Sequence, residues 1–124
     1  MAKGDFDPNR VLLTGFSMGA MGTWSVAYDD PTRFAAIVPV GGRTGDKRQM
    51  PLIKGIPAWV FNGEADDATT AVMARQAVAD LKAAGGEVKY TEYPGASHVD
   101  SLSMAYAEKE LYFWLAQRKR STRQ

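Results

Sequence analysis

Arg10-Val-Leu-Leu-Thr-Gly-Phe-Ser-Met-Gly19 passes from a β-branched apolar run straight into small residues around a serine. The run Arg10 to Thr14 is entered from the turn signal Asp7-Pro8-Asn9 and stops at Gly15, the pattern of a buried strand. Gly19 to Tyr28 carries small residues, then Trp24, Val26 and Ala27, which predicts a helix stopped by Asp29-Asp30-Pro31. Between strand and helix, Gly15-Phe16-Ser17-Met18-Gly19 fits G-x-S-x-G. A sharp strand-to-helix turn there would hold Ser17 strained, with its hydroxyl exposed. Glycines flank such a turn because side chains would collide with the neighbouring elements. The Met18 N–H, at the helix start, is then a candidate oxyanion donor. Small residues at a strand-to-helix turn also arise from packing alone, so the motif needs partners elsewhere.

The rest of the chain supplies them. Phe34 to Val40 is a second apolar run closed by Gly41-Gly42, and Pro57 to Phe61 is a third. Between them, Arg43 to Gly55 is polar, contains Gly45 and Pro51, and predicts a loop with at most one turn of helix. Thr70 to Ala84 places Ala74, Ala77, Val78 and Leu81 at helical spacing before Gly85-Gly86. Val88 to Tyr93 alternates as a fourth strand, and Ser101 to Gln117 reads as the last helix. This order predicts a mostly parallel sheet with right-handed crossovers, in one domain over residues 1–124 with a basic tail at 118–124.

A serine hydroxyl is a poor nucleophile until a base takes its proton, and that base is usually an imidazole oriented by a carboxylate. Asp66 follows the third strand in Asn62-Gly63-Glu64-Ala65-Asp66, and His98 follows the fourth in Gly95-Ala96-Ser97-His98. Ser17, Asp66 and His98 therefore stand in that chain order at the carboxyl ends of their strands, where open α/β sheets place their sites. Taken singly, Asp66 is equally a solvated loop acid or helix cap, and His98 a surface residue capping the final helix. Three such placements on one sheet edge favour a triad. Asp67 is an alternative acid. Asp100 is a weaker one, because it lies too near His98 to orient the ring. Phe16, Met18 and Met21 are candidates for an acyl pocket beside Ser17; packing explains them as well. Trp24, Trp59 and Trp114 fall on predicted helices or strands and read as core.

Composition narrows the chemistry further. The chain has 124 residues, 45% hydrophobic and 23% charged, an ordinary globular balance. Lys+Arg 15 against Asp+Glu 14 leaves a net charge of +1, which argues against a surface built to grip nucleic acid. The basic tail Arg118-Lys119-Arg120 and Arg123 reads instead as a solvated helix end complementing the helix dipole. With no cysteine, disulfides and thiolate nucleophiles are excluded, and a single histidine excludes a multi-histidine metal site within the chain. No metal or organic cofactor is expected. No apolar run reaches the roughly 18 residues of a membrane span, and the N-terminus lacks a signal peptide's apolar core, which suits the cytoplasm.

Arg10-Val-Leu-Leu-Thr-Gly-Phe-Ser-Met-Gly19, Thr23-Trp24, and Phe34-Ala-Ala-Ile-Val-Pro-Val-Gly-Gly42 together resemble the α/β-hydrolase superfamily. The nearest likeness is to its peptidase and esterase branch, related to dienelactone hydrolases, feruloyl esterases and polyhydroxybutyrate depolymerases. Pro57-Ala-Trp-Val-Phe-Asn-Gly63, Tyr90-Thr-Glu-Tyr-Pro-Gly95 and Glu110-Leu-Tyr-Phe-Trp-Leu115 continue it, so the resemblance runs from about Asp7 nearly to the end. It implies Ser17 as nucleophile, Asp66 as acid and His98 as base. The chain departs from the family pattern at Asn62, where His is usual, and at Ala68-Thr69-Thr70, where Val-Pro is usual. Ala20 stands in place of a common Gly, and Leu102 lies near a missing Trp.

The resemblance further implies a truncated α/β-hydrolase fold of about four mostly parallel strands and three main helices, starting at the nucleophile strand. The strands and the second oxyanion donor that precede it in the family then fall outside this sequence. Losing one donor typically costs about 2.7–4 kcal/mol of transition-state stabilisation. The expected activity is cleavage of carboxylic esters through an acyl-enzyme, weak and best on activated short esters. The expected assembly is a homo-oligomer, most simply a twofold dimer joining the Val11-to-Leu13 edges. The rival expectation is an inactive half-domain whose main property is self-association.

Overall fold

The computed structural model describes residues 11–42, 46–66 and 68–118. Four strands, β1 (Leu12–Phe16), β2 (Ala36–Val40), β3 (Ala58–Gly63) and β4 (Val88–Tyr93), form one sheet in that spatial order. Every neighbouring pair is parallel. The helices are α1 (Met18–Asp29), a 3-10 helix over Lys47–Ile53, α2 (Ala68–Ala83), α3 (His98–Tyr106) and α4 (Lys109–Ala116). Among the described residues the architecture is α/β, with four parallel strands and five helices.

Alternation along the strands sends side chains into two cores. Ile37, Ala58 and Val60 face Trp24, Ala27 and Tyr28 of α1 and Ala74, Ala77, Val78 and Leu81 of α2. Val38, Val40, Trp59 and Phe61 face the other way, onto Ala105 of α3 and Leu111 of α4. Because helices cover both faces, β2 and β3 are buried along their whole length, which explains their continuous apolar runs. Phe61 is fully buried, with its ring 4.8 Å from Trp59 and 6.1 Å from Tyr93. Burial of a side chain of this size contributes about 1.5–3 kcal/mol. Trp24 and Trp59 are core residues, and Trp114 packs edge-on against Trp59 at 5.6 Å.

Two elements differ from expectation. The polar stretch before β3 is more than a loop, since Lys47–Ile53 winds as a 3-10 helix. Its Met50 and Ile53 are fully buried, three positions apart and so stacked on one side of a three-residue turn. The predicted last helix is two helices. Glu108 adopts an extended φ of −71° and ψ of 110°, while its carboxylate accepts a 2.8 Å hydrogen bond from the Tyr93 hydroxyl. The helix is interrupted at a point with neither proline nor glycine, and the Glu108 side chain is tied there to β4.

The outer edge of β1 has no strand partner among the described residues, and Leu12 on it is 41% exposed. Arg118 is held by Glu87 at 2.9 Å and lies over the Trp114 ring; Lys119 to Gln124, the remainder of the basic tail, lie outside the described residues.

Candidate active site

Ser17 sits between β1 and α1 with φ 61° and ψ −116°, the one non-glycine residue at positive φ among those described. The strained turn is held from outside: Ser17 N–H donates to the Val40 carbonyl at 2.9 Å. It also depends on Gly15, where an added Cβ would lie 2.2 Å from the Gly19 carbonyl oxygen. Serine before a helix usually caps it, yet Ser17 makes no side-chain cap bond. Its Oγ lies 3.0 Å from His98 Nε2 instead. Met18 opens α1, so its N–H belongs to the first turn, where helix N–H groups have no intrahelical acceptor.

His98 is the first residue of α3, whose N-cap is Ser97 in a capping box with Asp100. Asp100 therefore serves the helix end and not the imidazole. The Ser101 hydroxyl donates to the His98 carbonyl at 2.7 Å, fixing the first turn. The Phe16 ring lies 4.7 Å from the imidazole, tilted by 32°.

Asp66 ends the turn that leaves β3, closed by its own N–H on the Gly63 carbonyl at 3.2 Å. This turn is bonded to the one leaving β4. Glu64 N–H donates to Tyr93 O at 2.9 Å and Ala65 N–H to Ala96 O at 2.9 Å, while the Glu64 carboxylate accepts from Gly95 N–H at 2.9 Å. The turns come so close that a Cβ on Gly63 would be 2.4 Å from the Ala96 carbonyl oxygen. Asp66 Oδ2 consequently lies 2.7 Å from His98 Nδ1, with its side chain 3% exposed against 38% for the imidazole. A carboxylate only accepts, so this contact sets the proton on Nδ1 and leaves the Nε2 lone pair to accept from the Ser17 hydroxyl.

A cleft of about 550 Å³ opens over Ser17, walled by Met18, Met21, Gly41, Gly42 and Thr70. Asp66 and His98 supply the ionisable groups in its lining. Met21 lines the cleft, whereas Phe16 packs against the imidazole and is not among the lining residues. Asp67 lies outside the described residues. Asn62 was not singled out for the site by sequence, yet it is fully buried beneath the acid turn. The available signal was an amide directly continuing the apolar run Pro57 to Phe61.

The sheet and its coverings are part of an α/β-hydrolase fold. The chain belongs to the phospholipase/carboxylesterase family, whose pattern matches residues 1–115. It is similar to a thermostable esterase of known structure at 36% identity and a TM-score of 0.86, over 95% of this chain and 33% of that one. In fold it is also similar to SOBER1 of Arabidopsis thaliana, at 19% identity and TM-score 0.73, over 91% of this chain and 55% of that one. The CE1 ferulic acid esterase of Anaeromyces mucronatus, solved in complex with ferulic acid, matches at 18% identity and TM-score 0.70, over 90% of this chain and 45% of that one. The chain thus spans 33% of the length of the thermostable esterase. No curated protein matches it.

Proposed function

We propose that the chain carries the catalytic triad of a serine hydrolase acting on carboxylic esters. The observation that carries this reading is the continuous path from Ser17 Oγ through His98 to Asp66, at 3.0 and 2.7 Å. Ser17 Oγ attacks the ester carbonyl carbon while His98 Nε2 takes its proton, and the Met18 N–H holds the oxyanion that forms. The intermediate collapses as the C–O bond to the alcohol breaks, and His98 returns the proton to the departing oxygen. Water, deprotonated by His98, then attacks the acyl-Ser17 ester and releases the acid. Asp66 keeps the imidazole in one tautomer and stabilises its cation throughout.

Among the described residues no lysine or arginine lines the cleft, which supports an uncharged acyl substrate. Met18 and Met21 are 82% and 45% exposed beside Ser17, and their flexible thioethers suit an acyl chain of variable shape. An activated ester demands least from the oxyanion donor, so p-nitrophenyl acetate is the probe of choice. Wild-type protein should turn it over, and Ser17→Ala and His98→Ala should not. Equal rates in all three would defeat the reading.

The exposed Leu12 and the β1 edge, which has no strand partner among the described residues, favour a second copy of the chain as cover, joined antiparallel along that edge. Sedimentation at micromolar concentration should give a dimer; a stable monomer would remove this part of the reading.

A further inference from the structure

Asn62 is fully buried near the carboxyl end of β3, on the strand face shared with the apolar Ala58 and Val60. Its Nδ2 donates to the carbonyl of Gly63 at 3.0 Å. The same carbonyl oxygen accepts the Asp66 N–H at 3.2 Å. A backbone carbonyl has two lone pairs, and here both are engaged. We infer that Asn62 is a positioning residue for Asp66, acting through the Gly63 peptide to hold the turn that aims Asp66 Oδ2 at His98 Nδ1.

The other end of the amide argues against mere space filling. Asn62 Oδ1 is buried and has no hydrogen-bond partner among the described residues. Rotating the amide would not help, because Oδ1 would then face the Gly63 carbonyl, acceptor against acceptor. An unpaired buried acceptor destabilises the fold, so an apolar side chain of the same volume would suit this core better. What the apolar side chain could not do is donate to Gly63. The amide trades stability for a fixed carbonyl plane one turn from the acid.

This inference deepens the ester-hydrolase reading and rests on it only for its kinetic readout. The test compares wild type with Asn62→Leu and Asn62→His in the full chain, using p-nitrophenyl acetate, thermal unfolding and proton NMR. The sequence has one histidine, so the low-field Nδ1 proton of His98 is a single resonance in wild type and in Asn62→Leu. Asn62→Leu should unfold at the same or higher temperature than wild type, yet its His98 Nδ1 resonance should move upfield or broaden. Its kcat should fall roughly ten- to a hundredfold with KM unchanged, the scale of a small misplacement of a catalytic group. Asn62→His places an Nδ1–H as many bonds from the backbone as the Asn amide, and should recover most of the lost kcat. An unshifted resonance with undiminished kcat in Asn62→Leu overturns the inference. So does failure of Asn62→Leu to fold, which would make the amide structural, or loss of kcat in both variants in step with lost stability. Absence of Ser17-dependent turnover in wild type would defeat the hydrolase reading alone, leaving the resonance and the unfolding temperatures to decide this one.

Discussion

Asp66 and His98 stand 32 positions apart and meet at 2.7 Å because the turns leaving β3 and β4 are bonded to each other. The acid and the base are thus carried by one rigid pair of turns, while Ser17 reaches them from the far side of β2. The Val40 carbonyl, which accepts the Ser17 N–H at 2.9 Å, ties that side in.

Asp66→Asn should leave the fold intact and lower kcat on p-nitrophenyl acetate by about 10⁴, with little change in KM. The amide can present its N–H to Nδ1, which places the imidazole proton on Nε2 and removes the lone pair that Ser17 needs. Initial rates decide this; a loss of less than tenfold would mean that another group orients His98.

The two glycines of the serine motif should respond in opposite directions. A Cβ at Gly15 would fall 2.2 Å from the Gly19 carbonyl oxygen, so Gly15→Ala should cost about 1–3 kcal/mol or more in urea unfolding. Gly19 lies within α1 with nothing within 4 Å of its added Cβ, so Gly19→Ala should stabilise by about 0.5–1 kcal/mol. Equal effects at both sites would contradict the close approach of β1 to α1.

Met21 is 45% exposed in the cleft wall, so it offers an acyl chain partial burial. Burying one methylene is worth about 0.8 kcal/mol, close to fourfold in rate. Met21→Ser should therefore lower kcat/KM for the butyrate ester relative to the acetate by a few fold. An unchanged butyrate-to-acetate ratio would place the acyl chain elsewhere.

Glu92 on β4 is held below the usual glutamate range, chiefly by its two hydrogen bonds from Arg75, with the Tyr90 hydroxyl adding a third. The native carboxylate therefore binds a proton less readily than the unfolded one, so the contribution is full at neutral pH. It weakens as pH falls through the ordinary carboxylate range and vanishes below the depressed native value. Arg75→Met should lower the unfolding temperature at neutral pH, and the two proteins should converge in acid. A gap that stays constant with pH would show that Arg75 acts by packing alone.

Much of this arrangement was legible in the residues. The strand–turn–helix around Ser17 shows locally, as a β-branched run, flanking glycines and then a helical pattern. Parallel pairing follows from the alternation of elements and carries Asp66 and His98 to the same sheet edge, while the strand order β1-β2-β3-β4 came from the structure. The split between α3 and α4 was hidden. No breaker stands at Ala107-Glu108, and the side-chain partner of Glu108 at the break is Tyr93, far back in the chain. The 3-10 helix was hidden for a related reason, since Met50, Leu52 and Ile53 read alike in sequence and only burial separates Met50 and Ile53 from the exposed Leu52.

Sequence by itself determined which side chains stand at the carboxyl ends of the strands, because strand and helix patterns depend on neighbours a few positions away. Tertiary structure alone decided that the Ser17 hydroxyl lies 3.0 Å from an imidazole 81 positions later, and that Asn62 is buried under the acid turn. Those distances depend on how β2, β3 and the two following turns pack together, and hydrogen bonds between segments distant in sequence leave no local pattern.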